Sequence, residues 1–298
     1  MLSSGDGVGS FWCGSVKGLV RYSWAALPCL VCICAVSMAV GLYCALYASP
    51  PDYRQGEVVR IMYLHVPSAW ISLGTYAAVA VLSFVALIKK NAGFLLSRAM
   101  APVGGCFTMV CLVTGSVWGK YTWGAWWVWD ARLTSMLLLL FLYLGYSCLW
   151  NAFEDQARAS RAAALFAVFS AINVPIVKFS VDIWSTLHQP ASVLRKGGVA
   201  IDSSMLVPLF AMFTALASLF GVFTLLRIST LVRARKCRAR LARSIARRRY
   251  DRDVVWHGRR GCVQQSHHTV CRRSGVFGAA AGQGAKRLPT RRSCSAVY

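Results

Sequence analysis

Six times between Trp24 and Leu226 the sequence runs for about 20 residues almost without charge, the length that crosses a bilayer core. The runs fall at 24–48, 67–88, 99–118, 132–150, 162–181 and 205–226. A backbone placed in hydrocarbon must satisfy its own N–H and C=O groups, so a run of this kind folds as a helix. The pattern predicts an all-α integral membrane protein with six transmembrane helices. The first run is too long for a signal-peptide core and reads as a retained span. In the fifth, Lys178 enters the last turn, placed to snorkel to the interface, and Asn173-Val174-Pro175 predicts a bend. Only 14% of the 298 residues are charged, against roughly 25% in soluble domains.

Charge sets the orientation. Lys17 and Arg21 precede the first run, Lys89, Lys90 and Arg98 join the second to the third, and Arg227, Arg233, Arg235 and Lys236 follow the sixth. Arg158 and Arg161 fall on the same side, offset by Glu154 and Asp155. The opposite connections cancel: Asp52 and Glu57 against Arg54 and Arg60, Asp182 and Asp202 against Arg195 and Lys196. By the positive-inside rule both termini are expected in the cytoplasm. Residues 227–298 hold 19 Lys and Arg against two Asp, +17 of the chain's net +23. No base-reading arrangement accompanies that charge, so nucleic acid is not the expected partner. A basic helix over 235–249 fits an anionic membrane surface, and the composition beyond Tyr250 predicts disorder. The expected layout is a cytoplasmic N-terminus over 1–23, a transmembrane domain over 24–226, and a basic, disordered cytoplasmic tail over 227–298.

Five of the chain's 11 tryptophans occur within twelve residues, in Trp118-Gly-Lys-Tyr-Thr-Trp-Gly-Ala-Trp-Trp-Val-Trp-Asp-Ala-Arg-Leu-Thr134, between the third and fourth runs. Tryptophan favours the membrane interface, yet anchoring two helix ends needs fewer. At helical spacing Trp123, Trp127, Asp130 and Thr134 share one face, with Trp126, Trp129 and Leu133 beside them. That predicts an aromatic shelf along the membrane surface, either a rich interfacial belt or a binding surface for a planar apolar ligand. His65, in Met62-Tyr-Leu-His-Val-Pro67, and His188, in Trp184-Ser-Thr-Leu-His-Gln-Pro190, are the only histidines in the first 256 residues. By parity of spans both lie on the outer side with the tryptophans. Each alone suits an interfacial hydrogen bond. Together with the indoles they suit haem, whose iron takes axial imidazoles and whose porphyrin takes aromatic packing.

Other chemistries find less support. Zinc needs three or four protein ligands, and the outer side offers two histidines and a few carboxylates. Cys262, His267, His268 and Cys271 are too loosely spaced for a metal site. Seven of the first eight cysteines sit inside apolar runs and read as small hydrophobes; Cys29-Leu-Val-Cys32 has redox spacing without a polar group to stabilise a thiolate. There is no Cys-x-x-Cys-His, nucleophile triad or phosphate-binding loop, so no enzyme activity is expected and any ATPase would belong to partners. Asp130 next to Trp129 is costly unless paired, and is expected to cap the fourth helix or to bond a tryptophan or histidine. Arg54, Arg60, Arg132, Arg195 and Lys196 are candidates for haem propionates or for lipid headgroups.

The tryptophan segment, together with Arg60-Ile-Met-Tyr-Leu-His-Val-Pro67, Leu112-Val-Thr-Gly-Ser-Val-Trp118, Asn173-Val-Pro-Ile176 and Ser185-Thr-Leu-His-Gln189, resembles the tryptophan-rich haem-handling family of c-type cytochrome biogenesis, in particular its haem exporter C branch. The likeness covers roughly residues 20–235 and leaves out the long basic tail. It implies axial haem ligation by His65 and His188, and an external haem-binding segment over Trp118, Trp123, Trp126, Trp127, Trp129 and Asp130. It also implies haem b as cargo, held at the periplasmic face of the bacterial inner membrane and passed to a periplasmic haem chaperone. The implied partners are an ATP-binding-cassette pair and a small single-span subunit. The readings it competes with are a transporter of another amphipathic substrate, a quinone or lipid, and a scaffold of the maturation complex that holds no haem.

Overall fold

The computed structural model describes residues 6–265 except 90–92, 185, 189–192, 194–197 and 199–200, with side chains from 24 to 250. Lys90, Arg195, Lys196 and the His267–His268 pair lie outside the described residues. The described chain is helical: α1 (Asp6–Tyr43), which ends in a π turn, α2 (Met62–Lys89), α3 (Gly93–Trp123), α4 (Ala131–Ala152), α5 (Gln156–Ser170), α6 (Asn173–Ile183) and α7 (Ser203–Gln265). Six segments among the described residues have the length and apolarity to cross a membrane: Trp24–Ala48, Glu57–Lys89, Gly93–Trp123, Ala131–Ala152, Gln156–Ile183 and Ser203–Tyr250. The protein is a multi-pass, all-α membrane protein.

Several helices outrun the apolar runs that announce them. α2 starts five residues before the apolar run that opens at Pro67, behind a 3-10 turn at Glu57–Ile61, so the proline stands in its second turn. α3 starts at Gly93, not 99, because Leu95 and Ala99 both pack inward and carry Arg98 into the helix. The bend in the fifth span is a full break. Pro175 has no N–H to donate to the Ala171 carbonyl four residues back; that carbonyl instead accepts from Val174 N–H at 3.0 Å, and α5 gives way to α6. α7 continues to Gln265, past Tyr250 where disorder is expected. No Gly or Pro interrupts residues 222–257, and the Arg, Ala and Leu that fill this stretch are good helix formers. The chain divides into two compact units, Met1–Arg238 and Ala239–Tyr298.

The core of the first unit is tied by hydroxyls, as a protein interior without water requires. Tyr143 Oη donates to the Ser72 carbonyl at 2.7 Å, Tyr76 Oη pairs with Ser170 Oγ at 2.7 Å, and Tyr146 Oη donates to Ser97 Oγ at 3.0 Å. The rings of Tyr76 and Tyr143 meet edge to face at 4.8 Å. These bonds join α2, α3, α4 and α5. Gly104 makes room for them: a Cβ there would lie 2.5 Å from Tyr143 Oη and 2.7 Å from Thr75 Cγ2. Gly104→Ala is expected to cost about 1–3 kcal/mol through overpacking, seen as a lowered unfolding midpoint of detergent-purified protein. An unchanged midpoint would contradict this packing.

Candidate functional site

One end of the first unit gathers the starts of α2 and α4, the end of α3, and the segment after α6. The tryptophan stretch there is not one helix, so the single-face shelf expected from helical spacing does not form. α3 stops at Trp123; Gly124 takes φ 78°, a left-handed conformation open to glycine, and residues 124–130 are not helical until α4 begins. Backbone caps fix the turn: Gly124 N–H donates to the Lys120 carbonyl at 3.1 Å, and Ser116 Oγ donates to the Trp126 carbonyl at 2.6 Å. The five indoles therefore separate. Trp118 and Trp123 sit half-buried on α3, and Trp127 is half-buried in the link. Trp126 and Trp129 stand out, 58% and 76% exposed. Trp129 meets Trp127 edge to face at 5.5 Å.

Asp130 carries two duties. Its Oδ1 accepts from Leu133 N–H at 2.7 Å and caps α4, while its Oδ2 lies 3.4 Å from His188 Nδ1. It is buried, and the His188 side chain is only 19% exposed. The edge of Trp123 packs on the His188 ring at 5.0 Å, and Thr186 Oγ1 accepts the His188 backbone N–H at 3.1 Å. A carboxylate opposite Nδ1 holds the proton on that nitrogen and leaves Nε2 with its lone pair. Burial lowers the pKa of His188 below the ordinary 6.5; Asp130 opposes the shift and Arg132 adds to it.

His65 reaches the same state through a different partner. It stands in the first turn of α2, not in a loop, and its Nδ1 lies 3.1 Å from Thr114 Oγ1 on α3. With the single Thr114 hydroxyl proton on the Val110 carbonyl, 2.7 Å away, Oγ1 accepts from His65 Nδ1–H, and Cys111 is a further neighbour of the same nitrogen, its Sγ at 3.9 Å. Again Nε2 keeps the lone pair. Among the described residues neither Nε2 makes a hydrogen bond. Gly115 accommodates the ring, since a Cβ there would fall 2.8 Å from His65 Cε1. Trp118 meets His65 edge-on at 5.6 Å, and its own Nε1–H donates to Gln55 Oε1 at 2.8 Å. His65 lies within electrostatic reach of both His188 and Arg132.

Among the described residues two donors at this end find no partner: Trp127 Nε1 and Arg132 Nε are buried without a hydrogen bond. Arg132 Nη2 donates a long bond, 3.4 Å, to the Lys178 carbonyl. Among the other candidate cations, Arg60 is held by Glu57 and the Ala45 carbonyl. Arg54 lies over the Tyr53 ring at 5.3 Å.

A family model described as Heme exporter protein C matches residues 12–243. The chain belongs to the heme exporter protein C family. It is 44% identical over 214 residues to Heme exporter protein C of Bradyrhizobium diazoefficiens, covering 72% of this chain and 81% of the relative. It is 44% identical over 207 residues to the Escherichia coli K12 protein of the same name, covering 69% and 83%. A putative cytochrome c biosynthesis ccmC-like mitochondrial protein of Marchantia polymorpha is 43% identical over 204 residues, 68% of this chain and 86% of that one. The heme exporter match spans His65, the tryptophan segment and His188 alike.

Thr114 and Gly115 fall within the Leu112–Trp118 stretch that carries the family resemblance, but residue chemistry gives neither of them a role of its own, and both act through the side chains they place. For Gln55 the hint is Asp52-Tyr-Arg-Gln-Gly56. There Asp52 Oδ1 accepts from Arg54 N–H and Gln55 N–H, both at 2.8 Å, and Gly56 has φ 56°. This turn aims Gln55 at Trp118. Gln55→Leu is expected to orphan the Trp118 N–H at a cost of about 1–3 kcal/mol. Purified protein should show altered tryptophan fluorescence and a lower unfolding midpoint; unchanged values of both would remove Gln55 from this role.

Proposed function

We propose that this end of the bundle binds haem b as cargo, at the periplasmic face of the bacterial inner membrane, and that the protein delivers it to the periplasmic haem chaperone of c-type cytochrome biogenesis. The observation that carries this reading is the matched state of the two imidazoles. His65 and His188 come from separate segments, each spends Nδ1–H on a partner of its own, and each keeps an Nε2 lone pair for iron. Trp118, Trp123 and Trp127 line the same end for porphyrin packing, and the outward Trp126 and Trp129 suit an edge that a chaperone must reach. The unsatisfied Trp127 Nε1–H and Arg132 Nε–H are donors of the kind a propionate accepts. Haem supplies iron that takes up imidazole nitrogen; the protein supplies orientation, aromatic area and a dry surround. His188 lies outside any helix, so it is the imidazole placed to let go first, while His65 is fixed in α2.

The names of the relatives support haem export and cytochrome c biosynthesis as the setting. Export energy would come from an ATP-binding-cassette pair, acting with a small single-span subunit, since the chain has no nucleotide-binding motif. The sidedness follows from the positive-inside argument, which puts the site on the outer surface. Mixing haem-loaded, detergent-purified protein with haem-free chaperone tests the proposal: haem should leave this protein and appear on the chaperone. Protein that purifies with a quinone or lipid and no haem, or that supports full cytochrome maturation while haem-free, would overturn it.

A further inference from the structure

The end of the first unit away from the histidines carries a second concentration of charge that the haem reading does not use. Leu95 and Ala99 of α3 are fully buried against Ile228 and Val232 of α7. Arg98, one residue before Ala99, stands beside that contact, and its guanidinium turns onto α4 and α5. Arg98 is within electrostatic reach of Arg227, Arg235 and Arg238. Its guanidinium lies 4.6 Å over the ring of Trp150, and its Nη1 donates to Gln156 Oε1, a neutral acceptor, at 3.0 Å. Among the described residues none of these four arginines has a carboxylate within ion-pair distance. Asp155, the nearest acid in sequence to Gln156, caps α5 and faces Arg158 at 3.8 Å.

Four cations from two helices, Arg98 and the three within its electrostatic reach, thus have no carboxylate paired with them among the described residues. They follow the ends of two apolar runs, since α3 starts at Gly93 and the apolar run of α7 gives way to arginine at 227, and the positive-inside reading sets that end at the inner headgroups. Phe223 stands one turn before Arg227 on the same face of α7 and is 49% exposed. An anion with several oxygens, attached to an apolar chain, complements both features. Guanidinium binds phosphate oxygens in pairs, and basic pockets between transmembrane helices take phospholipid headgroups.

We propose that Arg98, Arg227, Arg235 and Arg238 form a binding site for the phosphodiester of an anionic phospholipid, whose acyl chain lies along Phe223. The bound headgroup neutralises the cluster and clamps α3 to α7. Native mass spectrometry of the full chain, exchanged from mixed phosphatidylglycerol–phosphatidylcholine micelles into plain detergent, tests this. Wild type should retain one phosphatidylglycerol and shed phosphatidylcholine, and an excess of inorganic phosphate should leave that lipid in place. Arg235→Gln/Arg238→Gln, at exposed positions where folding is not at stake, should retain it about fivefold less per arginine removed. Arg98→Lys should retain more than Arg98→Gln. Equal retention of the two lipids by wild type, displacement by inorganic phosphate alone, or full retention by the double variant would overturn the site.

Discussion

His65→Ala and His188→Ala are each expected to lower c-type cytochrome formation, and the haem that purifies with the protein, by about 100-fold or more. Loss of an outer partner of a metal ligand commonly costs 10–100-fold, and loss of the ligand itself removes the bond that partner orients. The fold should tolerate both changes. His65 is bounded by Thr114, Gly115 and Trp118 on α3, contacts that alanine gives up without stranding a charge. His188 is on a segment outside the helices, so the bundle does not depend on it. Membrane levels of both variants should therefore match wild type while haem content falls, as read by immunoblot and by haem extraction from the purified proteins. Variants that keep wild-type haem and cytochrome levels would show that the imidazoles do no more than bond Thr114 and Asp130.

Asp130→Ala should produce the next largest loss, through two separable routes. Without the carboxylate α4 loses its cap, about 0.5–2 kcal/mol, and His188 loses the acceptor that fixes its tautomer, about 10–100-fold in metal affinity. Asp130→Asn separates them. Its side-chain oxygen can still cap Leu133 N–H, so the unfolding midpoint should stay near wild type while haem affinity falls. Equal haem affinity in wild type and both variants would contradict the orienting role. Acid adds an independent check on His188. Burial holds its folded pKa below the 6.5 of a free imidazole, so the neutral ring favours the folded state. That contribution is complete above pH 6.5 and drains away as pH falls below it, because the unfolded chain then takes up the proton more readily. In haem-free protein His188→Gln should flatten the fall of stability below pH 6.5.

How much of this could be seen in the sequence differs by residue. The spans follow from apolar runs because hydrocarbon leaves the backbone no alternative to the helix, and the break at Asn173-Val-Pro175 follows from a missing N–H. Asp130 is marked as a cap by its place before Ala131 and as a partner by the cost of leaving it bare; the structure gives it both jobs. The tryptophans mislead, because periodicity assumes that the helix goes on. Gly124, two residues before Trp126, is the signal that it stops, and the φ of 78° is a conformation that tryptophan or lysine in its place would resist. Thr114 and Gly115 lie in the quoted Leu112–Trp118 stretch, yet neither they nor Gln55 declare what they do. Their effect depends on α2 and the Asp52–Gly56 turn meeting α3, which is a property of the packed bundle. The basic stretch after Arg238 reads as tail by composition, yet the helix continues through it to Gln265, over a stretch free of Gly and Pro as far as 257.

The most direct test is the low-temperature electron paramagnetic resonance spectrum of the ferric, haem-loaded protein, taken with each single histidine variant and the His65→Ala/His188→Ala pair. Two imidazoles on one iron should give a low-spin signal in wild type. Each single variant should turn to high spin and recover on adding free imidazole, and the double variant should hold no ordered haem. A wild-type low-spin signal persisting in the double variant would contradict the account outright.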